Sequence, residues 1–162
     1  MASAEIESFR LRFAYEFDRL LRTLDGLDEE AVNWKPAAPS ANSLLVLVTH
    51  AVASAEEHVV SRAAGKPVVR SRDAEFAAKG DASNLSARAA EVNGRIAEAL
   101  AELDGRLGEE RESSFGRWTR RWTVRDTLVN SIAHTAEHAG HAELTRISTS
   151  RRGGAHEGEG RG

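Results

Sequence analysis

Residues 6–24 read IESFRLRFAYEFDRLLRTL. Ile6, Phe9, Phe13, Phe17, Leu20 and Leu24 recur there at spacings of three and four, which gathers them on one face of a 3.6-residue helix. The residues between them are largely charged and fall on the other faces. This pattern predicts a long first helix with one apolar side that has to be buried, and Gly26 supplies its stop.

Working outward, the same pattern returns three times. After the connector DEEAVNWKPAAPSANS, with its two prolines, Asn42 or Ser43 can cap a second helix over about 43–64. Leu44, Val48, Val52, Ala55 and Val59 share one of its sides, and Gly65 and Pro67 end it. Residues 66–83 read as a loop, with a turn of helix at DAEF. Leu85, Ala89, Val92, Ile96, Ala99 and Leu103 give a third helix the spacing of the first, closed by Asp104-Gly105. Residues 106–122 are polar and rich in arginine, which suits a short hairpin or an irregular crossover. A fourth helix over about 123–147 carries Leu128, Ile132, Ala136, Ala139 and Ile147. Four apolar stripes with little β signal predict an all-α four-helix bundle over residues 1–148. Residues 149–162 are expected to form a disordered tail, since they offer no apolar surface to order them.

Composition narrows the function. The 162 residues carry 22 basic and 25 acidic side chains, a net charge of −3. A general nucleic-acid binder usually has a strong basic excess, so no nucleic-acid partner is expected. The longest apolar run, LLVLV at 44–48, falls short of the ~20 residues a membrane span needs. The N-terminus lacks the layout of a secretion signal. A soluble cytoplasmic protein with no membrane partner is the expectation. There is no cysteine, so disulfides, thiolate zinc sites and a cysteine nucleophile are excluded.

HTAEHAGH at 134–141 holds three of the six histidines. His134 and His138 are four apart and therefore stack on adjacent turns of one helix face. Two such imidazoles can reach one ion at ~2.0–2.1 Å, given a further ligand from elsewhere. His50, in LVTHAVAS of the second helix, faces the bundle or its edge and could supply it. The competing reading is a polar stripe rich in histidine, with His50 a hydrogen-bonded core residue. His58, beside Glu56 and Glu57, reads as solvated, and His156 belongs to the tail.

The stretches NSLLVLVTHAVASAEEH and WTVRDTLVNSIAHTAEHAGHAELTRI resemble the DinB-like superfamily of bacterial four-helix bundles. That superfamily includes relatives of thiol-dependent S-transferases and the metal-binding domain of mycothiol-dependent maleylpyruvate isomerase. The resemblance covers roughly residues 5–147. His50, His134, His138 and Gly140 match the family's pattern of one histidine mid-way along the second helix and an HxxxH pair, then glycine, on the fourth. It implies that those three histidines bind one divalent ion, zinc or nickel, with other positions open to water. His141, one further turn along, could be a fourth ligand, but geometry favours a neighbour that touches substrate or a metal-bound water; many members have glutamine at this position. Glu57 and Ser54 lie near His50 along the helix and are candidates to support it or to meet substrate. No catalytic residue is assigned.

An open three-histidine site is the catalytic arrangement, able to acidify bound water or hold a thiolate. With no cysteine in the chain, the sulfur would arrive on a low-molecular-weight thiol. All basic residues except Lys35, Lys66 and Lys79 are arginine, a bias that accompanies GC-rich bacterial genomes, many of which use mycothiol. The expected function is a metal-dependent thiol S-transferase or isomerase acting on small electrophiles. The alternatives are a non-catalytic metal- or ligand-binding bundle and a metal-assisted hydrolase. A small-molecule substrate is expected, and the resemblance implies a homodimer. In RWTRRWTVR, Arg117, Arg120, Arg121 and Arg125 alternate with Trp118 and Trp122. The favoured reading is a solvated loop whose tryptophans plug the core.

Overall fold

The computed structural model describes residues 2–115 and 118–156. Four long helices form the body. Helix α1 spans Ala4–Arg22 and a short α2 spans Glu29–Asn33. Helix α3 spans Leu44–Glu56 and continues as a π-helical stretch over Glu57–Ala63. A five-residue α4 follows at Arg72–Phe76, then α5 at Leu85–Glu102. Strands β1 (Glu110–Phe115) and β2 (Trp118–Thr123) pair antiparallel as a hairpin and lead directly into α6, Val124–His156. The expected hairpin and the turn of helix at DAEF are both present. Helix α6 is traced through His156, and residues 157–162 of the expected tail lie outside the described residues.

Most of the stripes predicted from spacing form the core, but Ile147 of the fourth is exposed. Phe13, Leu20, Val48, Val92, Ile96, Leu100 and Leu128 are all buried, each contributing roughly 1.5–3 kcal/mol by leaving water. Helix α6 packs against both α1 and α3, and α5 packs across α1 and α3. Ser43 caps α3, accepting a hydrogen bond from the Val46 amide as predicted. Leu44–Ala63 is long and apolar enough to cross a membrane, although its longest unbroken apolar run is short. Here it is the central helix of the bundle and is mostly buried inside it.

Buried charge ties the helices together. Glu16 on α1 is fully buried and pairs with Arg12 and Arg19. Arg19 reaches across to Glu143 of α6 with two hydrogen bonds of 2.9 and 2.8 Å. On the other side of the bundle Glu56, also fully buried, takes Arg88 and Arg95 from α5.

After Glu56 the helix widens. The Ala64 amide bonds the Val59 carbonyl at 3.0 Å, five residues back rather than four, the mark of a π turn. Side chains along this stretch therefore depart from the faces that α-helical spacing would give them. Gly65 ends it at φ 75°, backbone space that favours glycine.

Candidate metal centre

His50 projects from α3 and His134 and His138 from α6, and the helix packing brings them together. One ring nitrogen from each lies within 4.8 Å of the others. The ring centres are 4.5 Å apart for His134 and His138, 4.8 Å for His50 and His138, and 5.7 Å for His50 and His134. The planes are near perpendicular, at 87°, 77° and 80°, so the rings meet edge to face around a common point instead of stacking. His50 is buried and the α6 pair half-buried.

Glu75 of α4 fixes the tautomer of His50. Its Oε2 lies 2.8 Å from His50 Nδ1. Burial would raise the Glu75 carboxyl, but hydrogen bonds from Arg70 and His50 hold it below the usual carboxylate range. An ionised carboxylate only accepts, so Nδ1 carries the proton and Nε2 keeps its lone pair. This is the carboxylate–histidine arrangement that orients metal-binding imidazoles. Arg70 in turn spans Glu75, at 2.6 and 2.9 Å, and Glu57.

Electrostatics leave all three rings neutral. Burial lowers His50 even against the opposing pull of Glu75. It lowers His134, with His50 adding to the effect. His138 is pushed down to about 3 by burial together with His134 and His50. Its Nδ1 is buried with no hydrogen-bond partner among the described residues. Neutral imidazoles, one with a buried nitrogen otherwise unsatisfied, are the donor set a borderline divalent ion takes.

The cluster opens on a cavity of about 380 Å³, lined by His50, Ser54, His58, Arg62, Arg70, Arg72, Asn130, Ala133, His134 and Glu137. Ser54 is buried in its wall, where its spacing from His50 placed it.

Two expectations change, those for His58 and Glu57. His58 is buried, not solvated; its ring sits 5.8 Å from that of His134. Burial and the charge of Arg62 push it down to about 3. Glu57 does not reach His50. It is held by Arg62 at 2.6 Å and by Arg70, and the carboxylate behind His50 is Glu75 instead. His141 is exposed, its ring 6.0 Å from that of His138, and it faces a separate cleft with Leu47 and Leu144. The signal for Glu75 lay in the helical turn DAEF, which nothing in one dimension joined to His50.

Arg121 pairs with Glu110 and Arg125 with Glu5 at the surface, and Trp122 is half-buried. Arg117 lies outside the described residues.

Comparison with known proteins agrees with this architecture. A family model described as mycothiol-S-transferase matches residues 9–150. A conserved protein from Enterococcus faecalis superposes with a TM-score of 0.70 at 18% identity, covering 90% of this chain and 96% of its own. A DinB-like protein from Bacillus cereus gives 0.69 at 21% identity, covering 89% and 92%. These two structures speak for the fold alone. No curated protein matches the chain.

Proposed function

The chain belongs to the mycothiol-S-transferase family, and from that premise we propose that it is a metal-dependent cytoplasmic transferase that joins a low-molecular-weight thiol to a small electrophile. The observation that carries the reading is the convergence of His50, His134 and His138 within 4.8 Å at the wall of a cavity of about 380 Å³. That volume is within the range of small-molecule sites, ~300–1,000 Å³.

The three histidines would hold one divalent ion, zinc or nickel, and such an ion acidifies a bound thiol so that the thiolate is available near neutral pH. Glu75 keeps His50 in the tautomer that offers Nε2. Arg70 keeps Glu75 ionised. The buried flanks of α3 and α6 shield one side of the site from water, and the cavity admits reactants from the other. Because the chain has no cysteine, the sulfur belongs to the cosubstrate. The thiol gives up its proton, and its sulfur bonds to the electrophilic carbon. With monochlorobimane as electrophile, chloride leaves with the bonding pair.

The test is fluorescence of the bimane adduct with a panel of bacterial thiols, using protein loaded with zinc or nickel. A rate well above a chelator-treated control is expected with at least one thiol. His134→Ala should hold no stoichiometric metal by elemental analysis and show no such rate. Metal retained in His134→Ala would refute the ligand set. Metal binding without turnover for any thiol would refute the transferase in favour of a non-catalytic binder, or of a hydrolase if an esterase screen responds.

A further inference from the structure

Of the three arginines that line the cavity, two already have carboxylate partners. Arg62 bonds Glu57, and Arg70 bonds both Glu57 and Glu75. Arg72 differs. Among the described residues it pairs with no carboxylate, and its guanidinium lies over the ring of Phe76, 5.3 Å from the centroid. The Phe76 ring in turn sits 4.8 Å from His50. Arg72 therefore stacks over an aromatic ring that itself contacts the metal cluster, and its charge is felt at all three imidazoles.

A guanidinium held on an aromatic face keeps its edge free, and that edge presents paired N–H donors matching the two oxygens of a carboxylate. Glu137 of α6 also lines the cavity, and a carboxylate there repels anions, which gives the cavity a polarity. A negatively charged reactant would lie with its acid end towards α4 and its reactive end towards the histidines.

We infer that Arg72 is the anion anchor of this cavity, and that one of the two reactants is a small molecule bearing a carboxylate held by the Arg72 guanidinium over Phe76. This rests on the transferase reading for the reaction, but not for the binding.

The deciding measurement is calorimetry of metal-loaded protein with benzoate and with benzamide, which has the same shape without the charge. Wild type should bind benzoate and not benzamide. Arg72→Gln should weaken benzoate about tenfold, the usual scale for one charge-assisted bond at a partly solvated site, with metal content and circular dichroism unchanged. Arg72 is exposed at the start of a short helix, so the variant should fold, and Arg72→Lys should recover part of the affinity. Undiminished benzoate binding in Arg72→Gln, equal binding of benzamide, or no benzoate binding by wild type would each overturn the inference.

Turnover then locates the carboxylate. An acid-over-amide preference in KM, lost in Arg72→Gln, is read once on paired electrophiles and once on 3-mercaptopropionate against its amide. Loss on one pair assigns Arg72 to that reactant, and loss on neither overturns the inference. A wild type that binds benzoate but turns over nothing would instead defeat the transferase reading and leave the anchor standing.

Discussion

Two buried carboxylates, Glu56 at the end of α3 and Glu75 on α4, do opposite things. Glu56 is fully enclosed and saturated by Arg88 and Arg95, both from α5. Glu75 is almost as buried, but it divides its oxygens between Arg70 and the ring of His50. A carboxylate surrounded only by guanidinium groups has no lone pair to lend, so Glu56 is a fastener between helices. A carboxylate that spends one oxygen on an imidazole sets which nitrogen of that ring is free, so Glu75 acts on whatever the ring binds. The neighbouring chemistry, not the depth of burial, separates a structural charge from one that serves the site.

The contrast breaks most visibly at Glu56. Removing both partners, in Arg88→Ala/Arg95→Ala, strands a buried charge and should cost about 3–5 kcal/mol of stability in denaturant unfolding. Metal per folded chain should not change. Loss of metal in the folded fraction would show that the two clusters are not independent. At Glu75 the effect reverses. Glu75→Gln should alter the unfolding midpoint little yet weaken metal about 10–100-fold, measured by competition with a chelator. His141→Ala, on the exposed side of the same α6 face, should leave that affinity unchanged. Equal losses in the two variants would put His141 on the ion.

A smaller effect concerns His58. Its folded pKa of about 3 lies below the ~6.5 of an unfolded chain. The unfolded state therefore binds the extra proton between those values. The stability this neutral ring allows is fully present above pH ~6.5 and is lost as pH falls towards 3. In metal-free protein the loss due to His58 should reach on the order of 1–2 kcal/mol by pH 5, and His58→Gln should remove that share. An unaltered acid limb in the variant would mean that the ring is solvated after all.

Much of the fold is legible in the sequence because helices announce themselves locally. The stripe from Ile6 to Leu24 and its counterpart from Leu85 to Leu103 reveal both the helix and the side it buries. The HxxxH pair in α6 is local in the same sense, and one imidazole from α3 completes the cluster once the bundle is assumed. Glu75 is out of reach because its partner lies 25 residues away across a loop, and no periodicity reports a loop's path. His58 escapes because its neighbours Glu56 and Glu57 read as a solvated stretch, whereas Arg88 and Arg95 take up the first and Arg62 and Arg70 the second.

The three histidines themselves stand on long bundle helices, whereas Arg70, Arg72, Glu75 and Phe76 all come from seven consecutive residues of a single crossover between α3 and α5. The scaffold and its tuning are thus on separate pieces of chain. A loop tolerates exchange far better than a core helix does. Transplanting residues 70–76 between bundles of this kind would therefore move selectivity as a cassette, with the helices that hold the imidazoles left as they are.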